Sequence, residues 1–385
     1  MKQFFIYILL LLAAFSCIDE PEIKVKIPKG RTLLVYVAID NSLSDEMPQM
    51  QEALLDGWNA KTMGSLVILA DSKRSKPMLM KLEERKGKAV YDTLRVYTNE
   101  NSASPELLRQ VISDTKELAA GESYGMLLFS HASGWLPQDA FKNPLKWEAN
   151  YNNLSSIASR SVFEDSGSEM ELADFAAAIP DGMFDFIASE MCFMSGVEIA
   201  YALRNKTDYL LASAPEVLSP GFVPIYKTSL DLLYKPKADL EGFGQAFFNH
   251  FDGLEGAYRS AAISLIRTSE MDALAELTRK ISPDLKENQF VIDQIQYYDG
   301  NYRSAHWPHL FFDFADYMSH AATAQEINEL EEQLSRTVIF KRNTEKLINI
   351  KLEKHSGLSV YIPQSVLPNL NKEYKKTEWY KATNK

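Results

Sequence analysis

Two side chains of this chain have the chemistry that a cysteine hydrolase needs: the thiol of Cys192 and the imidazole of His131. Cys192 lies in residues 184–194, which read as a buried strand ending in a turn, and His131 follows a second apolar run at 124–130. A thiolate can attack a carbonyl carbon while an imidazole takes up and returns the proton. The pair therefore predicts nucleophilic chemistry if the fold brings the two residues together.

The residues after Cys192 predict the start of a helix. Ser195 and Glu198 form a Ser-x-x-Glu capping-box pattern ahead of an apolar run. A thiol just before a helix N-terminus lies near the positive end of the helix dipole, which favours the nucleophilic thiolate. A simpler interpretation also stands, because a free cysteine on an apolar strand is most often a small core residue. A lone histidine at a strand end is likewise most often structural.

The N-terminus reads as a targeting segment followed by a tether. Residues 1–17 join a basic start to an apolar run that is too short to span a bilayer, as in a signal peptide. Cys17 resembles the lipobox cysteine of bacterial lipoproteins, although an ordinary secretory signal with an incidental cysteine fits the same pattern. Residues 18–30 form the tether, and their acidic start resembles the surface-export signal of Bacteroidetes lipoproteins. We therefore expect an outer-membrane lipoprotein, attached to the membrane through its N-terminal lipid.

Composition narrows the classes of partner. Of the 385 residues, 46% are hydrophobic, so the chain can bury a sizeable core. The net charge of −11 argues against nucleic acid as a partner and mildly favours cationic substrates. The sequence contains 2 cysteines, so acylation of Cys17 would leave Cys192 without a disulfide partner. An unpaired thiol is notable in an exported protein, because oxidising compartments favour disulfides.

Strands and helices alternate through the first half of the chain. Near-continuous apolar strands separated by helices predict an α/β fold with a mostly parallel sheet and helices on both faces. Ligands of such sheets bind at the carboxyl ends of the strands, where His131 and Cys192 both lie. Spacing alone does not fix the strand order that would make them neighbours. Helical patterns dominate later, so we predict a core domain at 31–226 and a largely helical α+β subdomain at 227–385.

Four segments together resemble the clostripain family of cysteine peptidases, which share the caspase-like fold. Residues 190–201, EMCFMSGVEIAY, are similar to the family's Asp-x-Cys-Leu-Met segment and the Glu-x-Ala-Tyr helix that follows it. Residues 130–135, SHASGW, resemble its His-Gly-x-Gly-Trp segment. Residues 212–216 and 356–363 resemble its Ala-Ser-x-Glu strand end and its late Ser-Gly-Leu-Ser strand. The resemblance spans roughly residues 31 to 363.

The resemblance implies a lipid-anchored cysteine endopeptidase that acts on proteins or peptides. Cys192 would be the nucleophile and His131 its base, with the backbone N–H groups of Ala132 and Cys192 holding the oxyanion. Glu190 would help to bind an Arg or Lys side chain of the substrate, while Glu216 either lines that pocket or caps a turn. Relatives are made as zymogens that are cut in a loop.

The candidate for the zymogen loop is the long polar segment 136–167. Lys142, Lys146 and Arg160 are the predicted cut points within it. The resemblance thereby adds a processing step to the predicted activity.

Departures from the family pattern leave other functions open. Ala132 stands where the family usually has glycine, which would strain the backbone if that position needs a positive φ. Glu190 replaces the family's aspartate with a side chain longer by one methylene. A catalytically silent relative that binds peptides or partner proteins at the cell surface is the main alternative. A transpeptidase-like ligase on the same fold is a third.

The remaining histidines and paired aspartates do not predict a metal site. His306, His309 and His320 lack an accompanying cysteine or a tight carboxylate set. Asp313 and Asp316 are more typical of helix capping than of calcium binding. No cofactor is required by the predicted chemistry, and calcium stays open because some relatives use it.

Overall fold

The computed structural model describes residues 30–73, 75–98, 101–137, 140, 147–148, 162–281, 291–300, 308–320 and 322–384. Its strands are β1 (Arg31–Ile39), β2 (Leu66–Ser72), β3 (Ser75–Arg85), β4 (Lys88–Val96), β5 (Ser123–Phe129), β6 (Glu164–Asp165), β7 (Ser168–Glu169), β8 (Phe184–Ser189), β9 (Thr207–Ala212), β10 (Ala262–Arg267), β11 (Phe312–Asp313), β12 (Val338–Asn343), β13 (Lys346–Leu347), β14 (Ile350–Lys351) and β15 (Ser359–Val360). Its helices are α1 (Met47–Gly57), α2 (Pro105–Leu118), α3 (Leu172–Ala178), α4 (Val197–Ala202), α5 (Val223–Ser229), α6 (Leu240–Asp252), α7 (Met271–Ile281), α8 (Phe314–Ser319), α9 (Ala324–Thr337), α10 (Pro368–Tyr374) and α11 (Glu378–Thr383).

The main sheet of the described chain has nine strands in the order β12-β10-β9-β8-β5-β1-β2-β3-β4. Its five central strands, from β2 to β9, pair in parallel. Antiparallel pairs extend it at both edges, through β3 and β4 on one side and β10 and β12 on the other. Within this sheet only β3 and β10 run against the other strands, so the prediction of a mostly parallel α/β fold is confirmed.

The central strands are buried on both faces, which explains their unbroken apolar sequences. All nine residues of β1 are buried. Leu33 and Val35 face one core, which helices α1, α5 and α6 cover. Leu34 and Tyr36 face the other core, beneath α2, α3, α4 and the C-terminal helices. Because alternate residues of a strand point to opposite faces, each central strand must be apolar at every position to be covered twice.

The second half of the chain continues the same sheet across the predicted division at residues 226 and 227. That boundary falls inside α5, Val223–Ser229. Beyond it, β10 pairs with β9 and β12 pairs with β10. Helix α9 ends at Thr337, and the next residues form the edge strand β12. The late strand expected within residues 356–363 is confined to β15, which pairs with β11 outside the main sheet.

Candidate active site

The register of β5 and β8 brings the two predicted catalytic residues to one edge of the sheet. These strands are parallel neighbours, with Leu128 paired to Ser189. The Glu190 N–H continues the ladder by donating to the Leu128 carbonyl at 3.1 Å. His131 and Cys192 each lie three positions beyond the paired residues. The strand order therefore meets the condition on which the cysteine hydrolase hypothesis depended.

The loops that carry His131 and Cys192 pack against each other. Gly134 has a φ of +65°, and a Cβ at this position would lie 2.9 Å from the Phe193 carbonyl oxygen. Any side chain at Gly134 would thus force the two loops apart, in addition to the strain of a positive φ. The close approach of the two loops depends on this glycine rather than on Ala132. Ala132 is buried and does not have a positive φ, so the predicted strain at that position is absent.

Phe193 holds the backbone beside the nucleophile in an unusual conformation. Its φ is +60°, which is uncommon for a bulky residue and persists only where the surroundings enforce it. Its N–H donates to the Pro215 carbonyl at 3.0 Å, and its ring stacks on Phe311 with a centroid separation of 4.2 Å. The peptide that follows Cys192 is therefore fixed from the backbone side and from the side-chain side.

The Cys192 thiol is half-buried and lies against the loop of residues 213–222, which follows β9. The Val217 N–H donates to its Sγ at 3.5 Å, and the Val217 carbonyl oxygen lies 3.9 Å from the same sulfur. An N–H donor stabilises negative charge on the atom that accepts its hydrogen bond. A backbone amide of the adjacent loop thus faces the atom that would carry the charge of a thiolate.

The predicted capping box after Cys192 is wrong. Helix α4 begins at Val197 with Gly196 as its N-cap and has no side-chain cap. The Ser195 hydroxyl instead donates to the Gly357 carbonyl at 2.6 Å, and the Glu198 carboxylate accepts from the Tyr361 N–H at 3.0 Å. Both side chains bind the turn after Cys192 to the late segment 356–363. This segment therefore supports the backbone that carries the nucleophile.

A serine that the sequence interpretation missed contacts His131. The Ser42 hydroxyl lies 2.8 Å from Nε2 of the imidazole. Ser42 belongs to the turn after β1, which is the other neighbour of β5 in the sheet. Asn41 fixes this turn by donating to the Glu164 carbonyl at 2.7 Å and by accepting from the Leu43 N–H at 2.9 Å. No motif marks Ser42. Only the position of its turn, at the carboxyl end of a strand, could have indicated that it lies near the site.

Glu190 does not form the open pocket that was predicted for it. Its side chain is 4% exposed, with one oxygen accepting from the Phe222 N–H and the other from the Tyr226 hydroxyl at 2.7 Å. A Cβ at Gly221 would collide with the same carboxyl group. Burial raises the pKa of Glu190 to about 8, so the group is mostly neutral at pH 7. Glu190 therefore anchors the 213–222 loop to β8 and offers no free anion to a substrate.

The remaining residues that the sequence analysis considered lie in other parts of the chain. Glu216 is half-buried and directly precedes Val217, so its role in substrate binding stays a prediction. His309 Nδ1 lies 2.8 Å from the Asp299 carbonyl oxygen, and its ring stacks on Tyr297. Cys17, the signal segment, His306 and the cut points Lys142, Lys146 and Arg160 lie outside the described residues.

The two aspartates considered for calcium are used within the chain. Asp313 is the N-cap of α8, accepting from the Asp316 N–H at 2.8 Å, and it also accepts from the Tyr298 hydroxyl at 2.6 Å. Asp316 pairs with Lys354 at 2.5 Å. Across the described ranges, no group of three His, Cys, Asp or Glu side chains could hold a metal ion.

The comparison with family models decides the family. The model described as the clostripain family matches residues 35–384. The chain belongs to the clostripain family. Membership makes this clostripain-family protein a cysteine-type endopeptidase with a caspase-like fold. In the part of the chain that the structure describes, no helix is both long enough and apolar enough to cross a membrane.

Solved structures of clostripain-family proteins share this fold over nearly the whole chain. An inactive zymogen of a C11 protease from Parabacteroides distasonis is 30% identical, with 94% of this chain and 100% of that chain covered at a TM-score of 0.80. A secreted C11 cysteine protease from Bacteroides thetaiotaomicron, in complex with an irreversible peptide inhibitor, is 26% identical, with 92% and 99% covered at 0.75. Another structure from that species, "iotapain", is 25% identical, with 93% and 100% covered at 0.78. No curated protein matches significantly.

Replacing Ser42 by alanine tests whether its hydroxyl orients the imidazole. We expect kcat to fall by about fivefold with little change in KM, because one orienting hydrogen bond is worth about 1 kcal/mol. The alkaline limb of the pH profile of kcat/KM should also shift, because acylation uses the protonated imidazole that Ser42 contacts. Ser42→Thr keeps the hydroxyl and should restore both properties. An unchanged profile in Ser42→Ala, or equal damage in Ser42→Thr, would contradict this role.

The raised pKa of Glu190 predicts a pH-dependent stability. The folded protein binds this proton more tightly than the unfolded chain, so the stabilisation is complete at acidic pH and is lost as pH rises through about 8. Relative to Glu190→Gln, the wild-type chain should lose stability between about pH 5 and pH 8, by up to about 1.4 kcal/mol per pH unit. Urea unfolding across this range measures the difference, and a difference independent of pH would rule the prediction out.

Proposed function

We propose that this clostripain-family endopeptidase cleaves peptide bonds after Arg or Lys through a dyad of Cys192 and His131, and that a lipid on Cys17 anchors it to the outer membrane. The observation that carries the dyad is the shared register, in which each residue lies three positions beyond the Leu128–Ser189 pair. The contact of Gly134 with the Phe193 carbonyl supports it, because the two loops have no space to diverge.

The proposed reaction uses the thiol and the imidazole in two steps. The Cys192 thiolate attacks the scissile carbonyl carbon, and the protonated His131 gives its proton to the amine as the C–N bond breaks. His131 then takes a proton from water, which attacks the thioester and releases the acid and the Cys192 sulfur. Ser42 orients the ring during both proton transfers.

Backbone N–H groups of Ala132 and Cys192 are proposed to hold the oxyanion. Each such donor contributes about 10²–10³ in rate when it is held in place before the reaction. The conformation of Phe193 and the buried backbone at Ala132 favour a rigid arrangement on both sides of the scissile carbonyl. No side chain is needed for this part of the mechanism.

A preference for basic side chains is supported by charge rather than by Glu190. The net charge is −11, and Glu216 adjoins the residue that contacts the thiol. The relative from Bacteroides thetaiotaomicron with a bound peptide inhibitor supports a peptide as the ligand of the site. The relative described as an inactive zymogen supports activation by cleavage, for which we propose the segment 136–167.

The test of the proposed reaction uses matched fluorogenic peptides ending in Arg, Lys or Asp. Wild-type protein should release the fluorophore from the Arg and Lys peptides, and mass spectrometry should find any activating cut at Lys142, Lys146 or Arg160. Cys192→Ala should abolish turnover, because the variant lacks the thiol that forms the acyl-enzyme.

Two outcomes would change the assignment. Turnover that survives Cys192→Ala would remove Cys192 as the nucleophile. Labelling of Cys192 by a thiol-reactive peptide without turnover, before and after cleavage of the segment 136–167, would favour the catalytically silent peptide-binding relative. Loss of membrane association in Cys17→Ser tests the proposed lipid anchor separately.

A further inference from the structure

Glu46 joins the turn after β1 to the 213–222 loop that lies against Cys192. It ends the short 3-10 turn Ser44–Glu46, which follows the turn that carries Ser42. Its Oε1 accepts a hydrogen bond from the Ser219 hydroxyl at 2.6 Å. Ser219 belongs to the 213–222 loop, whose Val217 contacts the Cys192 sulfur. The carboxylate is thus linked to the histidine side of the site by its own turn and to the cysteine side by its hydrogen bond.

The second oxygen of this carboxylate is shielded from solvent and has no hydrogen-bond partner among the described residues. A carboxylate oxygen that loses water without gaining a donor is costly, and buried polar atoms in native proteins are nearly always satisfied. A cationic ligand would supply the donor that this carboxylate lacks.

Glu46 is also close enough to Glu190 for its charge to act there. Burial is the main cause of the raised pKa of Glu190, and the negative charge of Glu46 raises it further. The two acids therefore differ in state: Glu190 is neutral and fully bonded by the 213–222 loop, whereas Glu46 keeps an oxygen without a donor.

We propose that the Glu46 carboxylate binds the basic side chain of the substrate, in the role that the sequence pattern had assigned to Glu190. This inference rests on the proposed function and names the residue that sets its specificity. Ser219 is exposed, so a substrate cation can take the place of its hydroxyl on Oε1. A guanidinium then presents a planar fork of N–H groups to the carboxylate, whereas an ammonium binds as a point charge. The site therefore prefers Arg to Lys.

The closing experiment compares kcat/KM for peptides that end in Arg, Lys or citrulline, the neutral counterpart of Arg. In Glu46→Gln the Arg-to-citrulline ratio should fall by about 10- to 100-fold, the range expected for a charge-assisted hydrogen bond. Glu52→Gln is the matched control, because Glu52 is exposed on α1 and its replacement makes the same change in net charge. An unchanged ratio in Glu46→Gln would overturn the proposal.

A second variant and a binding measurement keep the outcome independent of folding and of turnover. Ser219→Lys places an ammonium beside Glu46 at an exposed position and should abolish the Arg preference by competition. Calorimetry with benzamidine, a small amidinium probe, should show binding to the wild-type chain that Glu46→Gln weakens by at least about tenfold. Benzamidine binding without peptide hydrolysis would uphold the cation site and reject the peptidase. Hydrolysis of Arg peptides with unaltered selectivity in both variants would uphold the peptidase and reject the cation site at Glu46.

Discussion

The parallel pairing of β5 with β8 is the constraint on which the active site depends. Because both strands are buried on both faces, their register is fixed by two cores at once, and a slip of one residue would turn every side chain to the wrong face. The turns that leave their carboxyl ends must then emerge side by side. Gly134 lets the first turn approach the Phe193 carbonyl, and the positive φ of Phe193 shapes the second. Strain next to the nucleophile is thus held in place by the packing of the sheet.

Two carboxyl groups organise the loop that lies against the thiol. Glu190 is buried, is mostly protonated at neutral pH and holds the 213–222 loop through Phe222 and Tyr226. Glu46 bonds the same loop through Ser219 and keeps one oxygen without a donor. A neutral buried acid can support a loop without adding charge to the pocket. The 213–222 loop is therefore joined to β8 by Glu190 and to the turn after β1 by Glu46.

Local patterns predicted the fold class and the two reactive residues, since apolar runs and strand ends are encoded over a few neighbouring positions. The failures involve partners that are distant in sequence. Ser195 and Glu198 have the spacing of a capping box, but their partners lie 162 and 163 positions away. Glu190 stands where a substrate-binding acid is expected, but residues 32 and 36 positions later satisfy it. Local patterns do not predict strand order either, because it depends on which apolar faces pack together. Ser42 belongs to no motif at all.

The most direct test of the central claim is the pH dependence of Cys192 alkylation. In a Cys17→Ser background, the rate of reaction with iodoacetamide is measured from about pH 5 to pH 9 for the wild-type site and for His131→Ala. If the two groups form one unit, the wild-type thiol reacts well below the range of an ordinary cysteine, near pH 8.5, and His131→Ala moves the profile up to that range. Identical profiles in the two proteins would show that the imidazole does not act on the sulfur, and would contradict the dyad.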